Sequence, residues 1–191
     1  MKRLTTLMLA FLVGLSGASL LPGCGGTRGK AQASMKKGDE IVVVIEKDSE
    51  TLVVKMDKTF SDLYKEINAG KTPDAGAFDK SSKVITALAH KMLDKASQAK
   101  AEYEKIRRLK GVPDYAKYAG LRIKVIDANV EGLKQLESFL GQEKDRLSAT
   151  PFDPVAFQVA VIQFSDSLKK MGEETGELQR QAEDLKKQKR L

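Results

Sequence analysis

The sequence has one cysteine, one histidine and no tryptophan. The single cysteine, Cys24, cannot form a disulfide within the chain, and a lone exposed thiol is a liability in an oxidising compartment unless it is blocked. The single histidine, His90, is too few for a zinc site, which needs three or four ligands. We expect His90 to be solvated, with Asp94 as its neighbour one helical turn further on.

Motifs of catalysis are missing as well. The chain has no Gly-x-Ser-x-Gly turn, no glycine-rich phosphate loop, no haem-attachment motif and no Glu-x-x-His pair for a di-iron bundle. Adjacent acids such as Glu173 and Glu174 alternate with lysines, as on a solvated helix face. The sequence therefore predicts no enzyme, with no catalytic residue, no metal ion and no cofactor.

Positive charge is in excess but is not concentrated. The net charge of +7 falls to +5 when Lys2 and Arg3 are removed with the N-terminal segment. The one basic cluster, residues 186–190 at the C-terminus, is predicted to be a solvated helix end that is dispensable for folding. Nucleic-acid binding is not expected, because no basic stripe with stacking aromatic residues is present.

Residues 1–23 have the composition of an export signal. Lys2 and Arg3 supply the positive start, and a mostly apolar stretch runs from Leu4 to Leu21. A small residue, Gly23, stands directly before Cys24. We therefore expect residues 1–23 to be a signal peptide that is cleaved.

The four residues that end this segment, Leu21-Pro22-Gly23-Cys24, resemble the bacterial lipobox. The resemblance implies cleavage before Cys24, attachment of lipid to its sulfur, and incorporation of palmitate. Each buried CH₂ of an acyl chain contributes about 0.8 kcal/mol, so two or three chains hold a protein durably on a membrane. The expected partner of Cys24 is thus a bilayer.

The residues after Cys24 suggest where the protein is sorted and how the domain is attached. Gly25 is not Asp, which by resemblance to Gram-negative lipoproteins implies the outer membrane; with a single membrane, the place is its outer face. Residues 24–36 are rich in glycine and small side chains and are predicted to be the lipidated cysteine and a flexible tether. Residues 37–191 are predicted to form one helical domain.

Three long helices follow from heptad patterns between the prolines at positions 73, 113, 151 and 154. Asp74, Asp114 and Asp153 offer caps at the three starts. The core rows are Phe78, Ile85, Met92, Ala99 and Ile106, with Ala89, Ala96 and Tyr103; Ala119, Ile126, Leu133, Leu140 and Leu147, with Ile123 and Val130; and Phe157, Phe164, Met171, Leu178 and Leu185, with Val161, Leu168, Thr175 and Ala182.

The first segment permits two interpretations. Apolar residues from Ile41 to Ile67 fit one helical face, but the β-branched run 41–45 and the run 51–54 also fit a hairpin. Helix is favoured over residues 38–54, because an isolated two-stranded hairpin is marginal in water. The predicted fold is therefore all-α, an up-and-down bundle of about four long helices, with a three-helix bundle carrying an N-terminal β-hairpin as the alternative.

Two smaller features complete the prediction. Tyr115, Tyr118 and Phe152 are expected at one end of the bundle, as packing residues or as an exposed patch. Gly172 and Gly176 either allow a close helix approach or weaken the last helix.

The expected function is that of a non-enzymatic envelope lipoprotein that acts through protein or surface contacts, with an envelope protein as a possible partner. The alternative is a bundle that binds an apolar small molecule or lipid between its helices.

Overall fold

The structure, a computed structural model, describes residues 26–191, and this part of the chain forms four helices and no strand. Helix α1 spans Thr27–Asn68, α2 spans Ala75–Arg107, α3 spans Pro113–Ser148 and α4 spans Pro154–Lys189. Each helix packs along the next in sequence through a short connection, which makes neighbours antiparallel. The all-helical class and the four long helices are confirmed; the predicted signal peptide, 1–23, and Cys24 lie outside the described residues.

Helix α1 begins earlier than predicted. The expected tether, 24–36, is helical from Thr27 onward, so the prediction of a flexible segment is wrong there. Ala31 and Met35 are buried two turns and one turn before Gly38, respectively, and thus extend the buried face of the helix. Burial of this face outweighs the low helix propensity of the glycines at the start.

The β-branched run in α1 is helical, which excludes the hairpin alternative. Val42 and Ile45 are buried, whereas Val44 between them is exposed. This spacing is that of a helix face, because a strand would bury residues 42 and 44 together. Tertiary packing of the apolar face has outweighed the strand preference of the individual residues.

Aspartate caps begin two of the helices. Asp74 accepts hydrogen bonds from the backbone amides of Gly76 and Ala77 at 2.8 and 3.0 Å, and Asp153 does the same at the start of α4. Helix α3 differs, because Pro113 occupies its first turn and Asp114 lies inside the helix. The prediction of an aspartate cap is therefore wrong for Asp114, and its carboxylate instead favours the positive end of the helix dipole.

The predicted core rows are buried with few exceptions. Every predicted core residue of α2 is buried, and in α3 only Val130 is half-buried. In α4, Met171 and Leu178 are half-buried, whereas Thr175 and Ala182 are fully buried. A helix with 3.6 residues per turn drifts against a seven-residue row, so the second row takes over the core toward the C-terminal end.

The two ends of the bundle have different cores. At the end where α1 finishes, phenylalanines of all four helices pack together. Phe139 of α3 stacks on Phe164 of α4 at 4.1 Å between ring centroids, and Phe60 of α1 lies 5.8 Å from Phe139 and 6.1 Å from Phe78 of α2. Phe152 lies at this end, against Phe157. Tyr115 and Tyr118 are buried at the opposite end, so the prediction that they cluster with Phe152 is wrong, because antiparallel α3 and α4 begin at opposite ends.

Helices α1 and α4 face each other along what we call the α1–α4 seam. Long side chains join the two helices at both ends. Lys186 contacts Asp39 at 2.8 Å at one end, and the rings of Tyr64 and Phe157 lie 6.0 Å apart at the other. Between these two contacts lies the region of the candidate site.

Candidate functional site

A cavity of about 70 Å³, partly open to solvent, lies in the middle of the bundle. All four helices contribute to its lining, which is almost entirely apolar. On α3 the lining extends from Arg122 to Leu136, four turns or about 20 Å of helix. The space is therefore long and narrow, and among its side chains are Val42, Leu52, Met92, Leu133 and Leu168.

Arg122 is the charged exception in this lining. It is 1% exposed, and its Nε and Nη1 atoms have no hydrogen-bond partner. Burial lowers the pKa of its guanidinium, and the neighbouring Tyr103, Tyr118 and Asp39 more than offset this effect, but no carboxylate of residues 26–191 lies within 4.0 Å of its nitrogens. Since arginine does not lose its proton in proteins, a buried positive charge with two free donor atoms borders the cavity.

A second polar residue of the lining, Asn129, lies two helical turns after Arg122 on α3. Asn129 has its side-chain oxygen buried and without a hydrogen-bond partner. Ser49 of α1 also lines the cavity and is buried. Asn129 therefore lies on the Arg122 side of the lining, whereas Ser49 lies level with Leu136, because its neighbour Asp48 pairs with Lys91 and the adjacent His90 pairs with Glu137.

Asp39 organises the polar cluster next to Arg122. Its Oδ1 accepts hydrogen bonds from the hydroxyls of Tyr103 at 2.6 Å and Tyr118 at 2.9 Å, and its Oδ2 accepts from Lys186 at 2.8 Å. One carboxylate thus connects side chains of all four helices. Burial raises the pKa of both tyrosine hydroxyls, so they remain protonated donors to Asp39.

Gly38 allows Tyr103 to reach this carboxylate. A Cβ atom at position 38 would lie 2.8 Å from Tyr103 Cζ, closer than side-chain carbons pack. The absence of a side chain on α1 therefore admits the ring of α2, and its hydroxyl meets the next residue, Asp39. Gly176 differs, because a Cβ atom there would meet nothing within 4 Å. A close helix approach is thus not the reason for a glycine at position 176.

Glu46 is a second acid near Arg122. Burial raises its pKa from 4.5 to about 7; attraction to Arg122 opposes this rise, and repulsion from Glu183 and other acids adds to it. Its Oε1 is buried and has no hydrogen-bond partner. At neutral pH this carboxyl is thus only partly ionised, and it does not fully neutralise the guanidinium.

The predicted functional residues are spread over the structure. His90 is exposed, as expected, but its Nε2 lies 3.0 Å from Glu137 of α3 and not beside Asp94. Lys186 corrects the prediction of a solvated basic end, because its amine is held between Asp39 and the ring of Tyr118, at 5.8 Å from the ring centroid. Lys187 and Lys189 are exposed.

The cluster of Asp39, Arg122 and Lys186 was not anticipated, although Arg122 carried a readable signal. Arg122 lies three residues after Ala119 and four before Ile126, and therefore on the same helical face as the predicted core row of α3. A charged residue on such a face predicts a buried polar contact, because helix positions three and four apart share a face. Asp39 carried no such signal, because its segment allowed two interpretations.

Two further tests concern metal ions and membranes. Within residues 26–191, no three side chains of His, Cys, Asp or Glu converge as a metal site requires. None of the four helices described combines the length and the apolar character of a membrane-spanning segment. Comparisons of the chain with protein-family models, with curated proteins and with solved structures found no match.

Proposed function

We propose that this protein is an exported envelope lipoprotein, anchored through Cys24, whose helical bundle binds an apolar small molecule or lipid. The anchor rests on the signal-like residues 1–23 and the lipobox resemblance. The observation that carries the binding function is the long apolar cavity in the middle of the bundle. Sites for apolar ligands are typically concave, mostly apolar, and supplied with a few placed polar groups.

The anchor is tested by labelling cells with palmitate. The wild-type chain should incorporate labelled palmitate and fractionate with membranes, and Cys24→Ser should do neither, because the sulfur is the attachment atom. Ser34→Cys in the Cys24→Ser background is the matched control, since it restores a thiol outside the lipobox. Equal palmitate incorporation by Cys24→Ser would show that the anchor is assigned wrongly.

Binding is tested by filling the cavity. Ala96 is buried and lines the cavity, and Ala101 is exposed on the same helix. Decanol should raise the melting temperature of the wild-type chain and of Ala101→Leu, because a ligand that binds only the folded state stabilises it. Ala96→Leu should lose most of this rise. If decanol raises the melting temperature of Ala96→Leu as much as that of the wild type, the ligand does not occupy this cavity.

Contact with an envelope protein is a second candidate function, and one observation favours it. Val155, Val159 and Ile162 of α4 are 66%, 46% and 57% exposed, and they share one face beside the buried Phe157 and Val161. An exposed apolar row of this kind is typical of protein contacts. A photo-crosslinking residue at position 159 should join one envelope protein in intact cells, and Ile162→Lys should abolish the product; crosslinks unaffected by Ile162→Lys would contradict this function.

A further inference from the structure

The guanidinium of Arg122 is the most unusual group that borders the cavity. It is almost completely buried, two of its nitrogens have no hydrogen-bond partner, and no carboxylate of the described chain forms an ion pair with it. The nearby Asp39 offsets part of the cost of burying this charge, but the two nitrogens without hydrogen-bond partners keep a desolvation cost. A ligand that brings a negative charge and acceptor oxygens would remove this cost.

Neither of the neighbouring acids, Asp39 and Glu46, forms an ion pair with Arg122. Asp39 is fully engaged, because it accepts two tyrosine hydrogen bonds and an ion pair from Lys186. Glu46 is partly protonated at neutral pH and does not reach ion-pair distance of Arg122. Arg122 is the charged residue of the cavity lining, and its positive charge has no ion-pair partner among residues 26–191.

The apolar part of the lining indicates what the rest of the ligand is made of. Beyond Asn129 the lining is apolar for about two turns of α3, to Leu133 and Leu136, and Leu168 of α4 closes the same region. The enclosed volume of about 70 Å³ has room for only a few methylene groups of a single hydrocarbon chain. A chain longer than the enclosed volume would extend through the part that is open to solvent.

We propose that the cavity binds a single-chain amphiphile with an anionic head group, the head at Arg122 and the chain along Leu133, Leu136 and Leu168. This inference rests on the proposed binding function and specifies its ligand class. The head group is a carboxylate or a phosphate, since a guanidinium binds the oxygens of both through charge-assisted hydrogen bonds. A free fatty acid and a lysophospholipid-like molecule are the two sources of this chemistry.

Photolabelling of the full chain in phosphatidylcholine nanodiscs tests the proposal. The probe is a diazirine analogue of decanoic acid, and the labelled peptides are mapped by mass spectrometry. We expect label on the peptides that contain Leu133, Leu136 and Leu168. Unlabelled decanoic acid or decyl phosphate should compete about tenfold better than decanol, because hydrogen bonds to charged groups are the stronger ones.

Two variants locate the head group. Arg122→Leu should remove the preference for anionic competitors while the cavity still takes decanol, and Arg180→Leu, on the exposed face of α4, should behave as the wild type. Ser49→Leu, which fills the cavity from α1 at the level of Leu136, should abolish labelling, so the proposal stays testable if Arg122→Leu does not fold.

The outcomes separate the two proposals. Equal competition by decanol and decanoic acid in the wild type would overturn the anionic head group and leave apolar binding intact. Label absent from the cavity peptides, with no competition by any of the three compounds, would overturn both. A clear preference for decyl phosphate over decanoic acid would support the proposal with a phosphate head, and the reverse preference would support it with a carboxylate.

Discussion

At the scale of single residues, the main feature is a set of charged side chains inside an otherwise apolar bundle. Asp39 and Lys186 neutralise each other and are hydrogen-bonded, whereas Arg122 and Glu46 keep buried atoms without partners. Satisfied polar groups stabilise a core modestly, and unsatisfied ones cost about 1–3 kcal/mol each. The cluster therefore divides into a part around Asp39 whose polar groups are hydrogen-bonded and a part around Arg122 and Glu46 in which buried polar atoms lack partners.

Glu46 should make the stability of the fold depend on pH. Its pKa is about 7 in the folded protein against 4.5 for an ordinary glutamate, so the folded state holds the proton more tightly. The free energy of unfolding should therefore fall as pH rises from about 4.5 to about 7, by about 1–2 kcal/mol after solvent screening of a half-buried group. Denaturant unfolding at pH 4.5 and pH 7.5 measures this change.

Glu46→Gln should lose this part of the pH dependence, because the amide does not ionise. Glu40→Gln on the exposed face of α1 should keep it. An unchanged difference between the two pH values in Glu46→Gln would show that Glu46 ionises normally in the folded protein.

Lys186 should matter for stability although it lies in the basic C-terminal cluster. Its ion pair with Asp39 is largely shielded from water, with side-chain exposures of 19% and 15%. Lys186→Ala should cost about 1–3 kcal/mol, because it leaves a buried carboxylate with two tyrosine donors and no cation. Thermal melts should place Lys187→Ala, at an exposed position, close to the wild type. Equal melting temperatures for the two variants would mean that the Lys186–Asp39 pair contributes nothing.

At the scale of helices, α1 departs most from expectation and carries much of the site. It extends through residues predicted to be a tether, and its β-branched run is helical. At Gly38 a neighbouring ring, that of Tyr103, takes the space of a side chain. The C-terminal half of α4 buries the small or polar residues Gly172, Thr175 and Gln179, and Lys186 beyond them reaches Asp39 of α1.

Two glycine variants test the packing of α1. Gly38→Ala should destabilise the fold by about 1–3 kcal/mol, because the new methyl group collides with the buried ring of Tyr103. Gly176→Ala should raise stability by up to about 1 kcal/mol, since alanine favours helix and the space there is open. Urea unfolding of both variants provides the comparison. Stabilisation by Gly38→Ala would contradict the close contact between α1 and Tyr103.

Much of the helical architecture could be predicted because long amphipathic helices have a strong sequence period. The rows of α2 and α3 are buried as their heptads indicate, and Asp74 and Asp153 cap where expected. The start of α1 could not be predicted, because the local signal of glycines and small residues opposes helix and only packing of Ala31 and Met35 decides it. The relative positions of residues on different helices could not be predicted either. Phe152 and Tyr118 lie at opposite ends of the bundle, although each stands near the start of a helix.

The candidate site was less predictable than the fold for a related reason. Asp39, Tyr103, Arg122 and Lys186 come from four helices, and their meeting depends on the rotation and register of each helix. Sequence periodicity gives the buried face of one helix but not the residue opposite it on another. Of these four residues, Tyr103 belonged to a predicted core row, and Arg122 shared a helical face with one, whereas nothing in the sequence pointed to Asp39 or Lys186.

At the scale of the whole molecule, the bundle has an aromatic end, a polar end and a cavity between them. The phenylalanines around Phe139 close one end, the Asp39 cluster ties the four helices at the other, and the lining from Arg122 to Leu136 connects the two regions. Because side-chain contacts hold the helices together at both ends, the middle of the bundle can be packed less tightly. This arrangement is the physical basis for proposing that the protein binds an amphiphile between its helices while its N-terminal cysteine anchors it to a membrane.

Mass spectrometry of the full chain isolated from membranes, under native and then denaturing conditions, tests this account most directly. The denatured mass should be that of a chain beginning at Cys24 plus covalent acyl groups. The native mass should exceed it by one anionic amphiphile per chain, which is released on denaturation, and Ala96→Leu should lack this addition. Identical native and denatured masses in the wild type, or a Cys24 without acyl groups, would contradict the account.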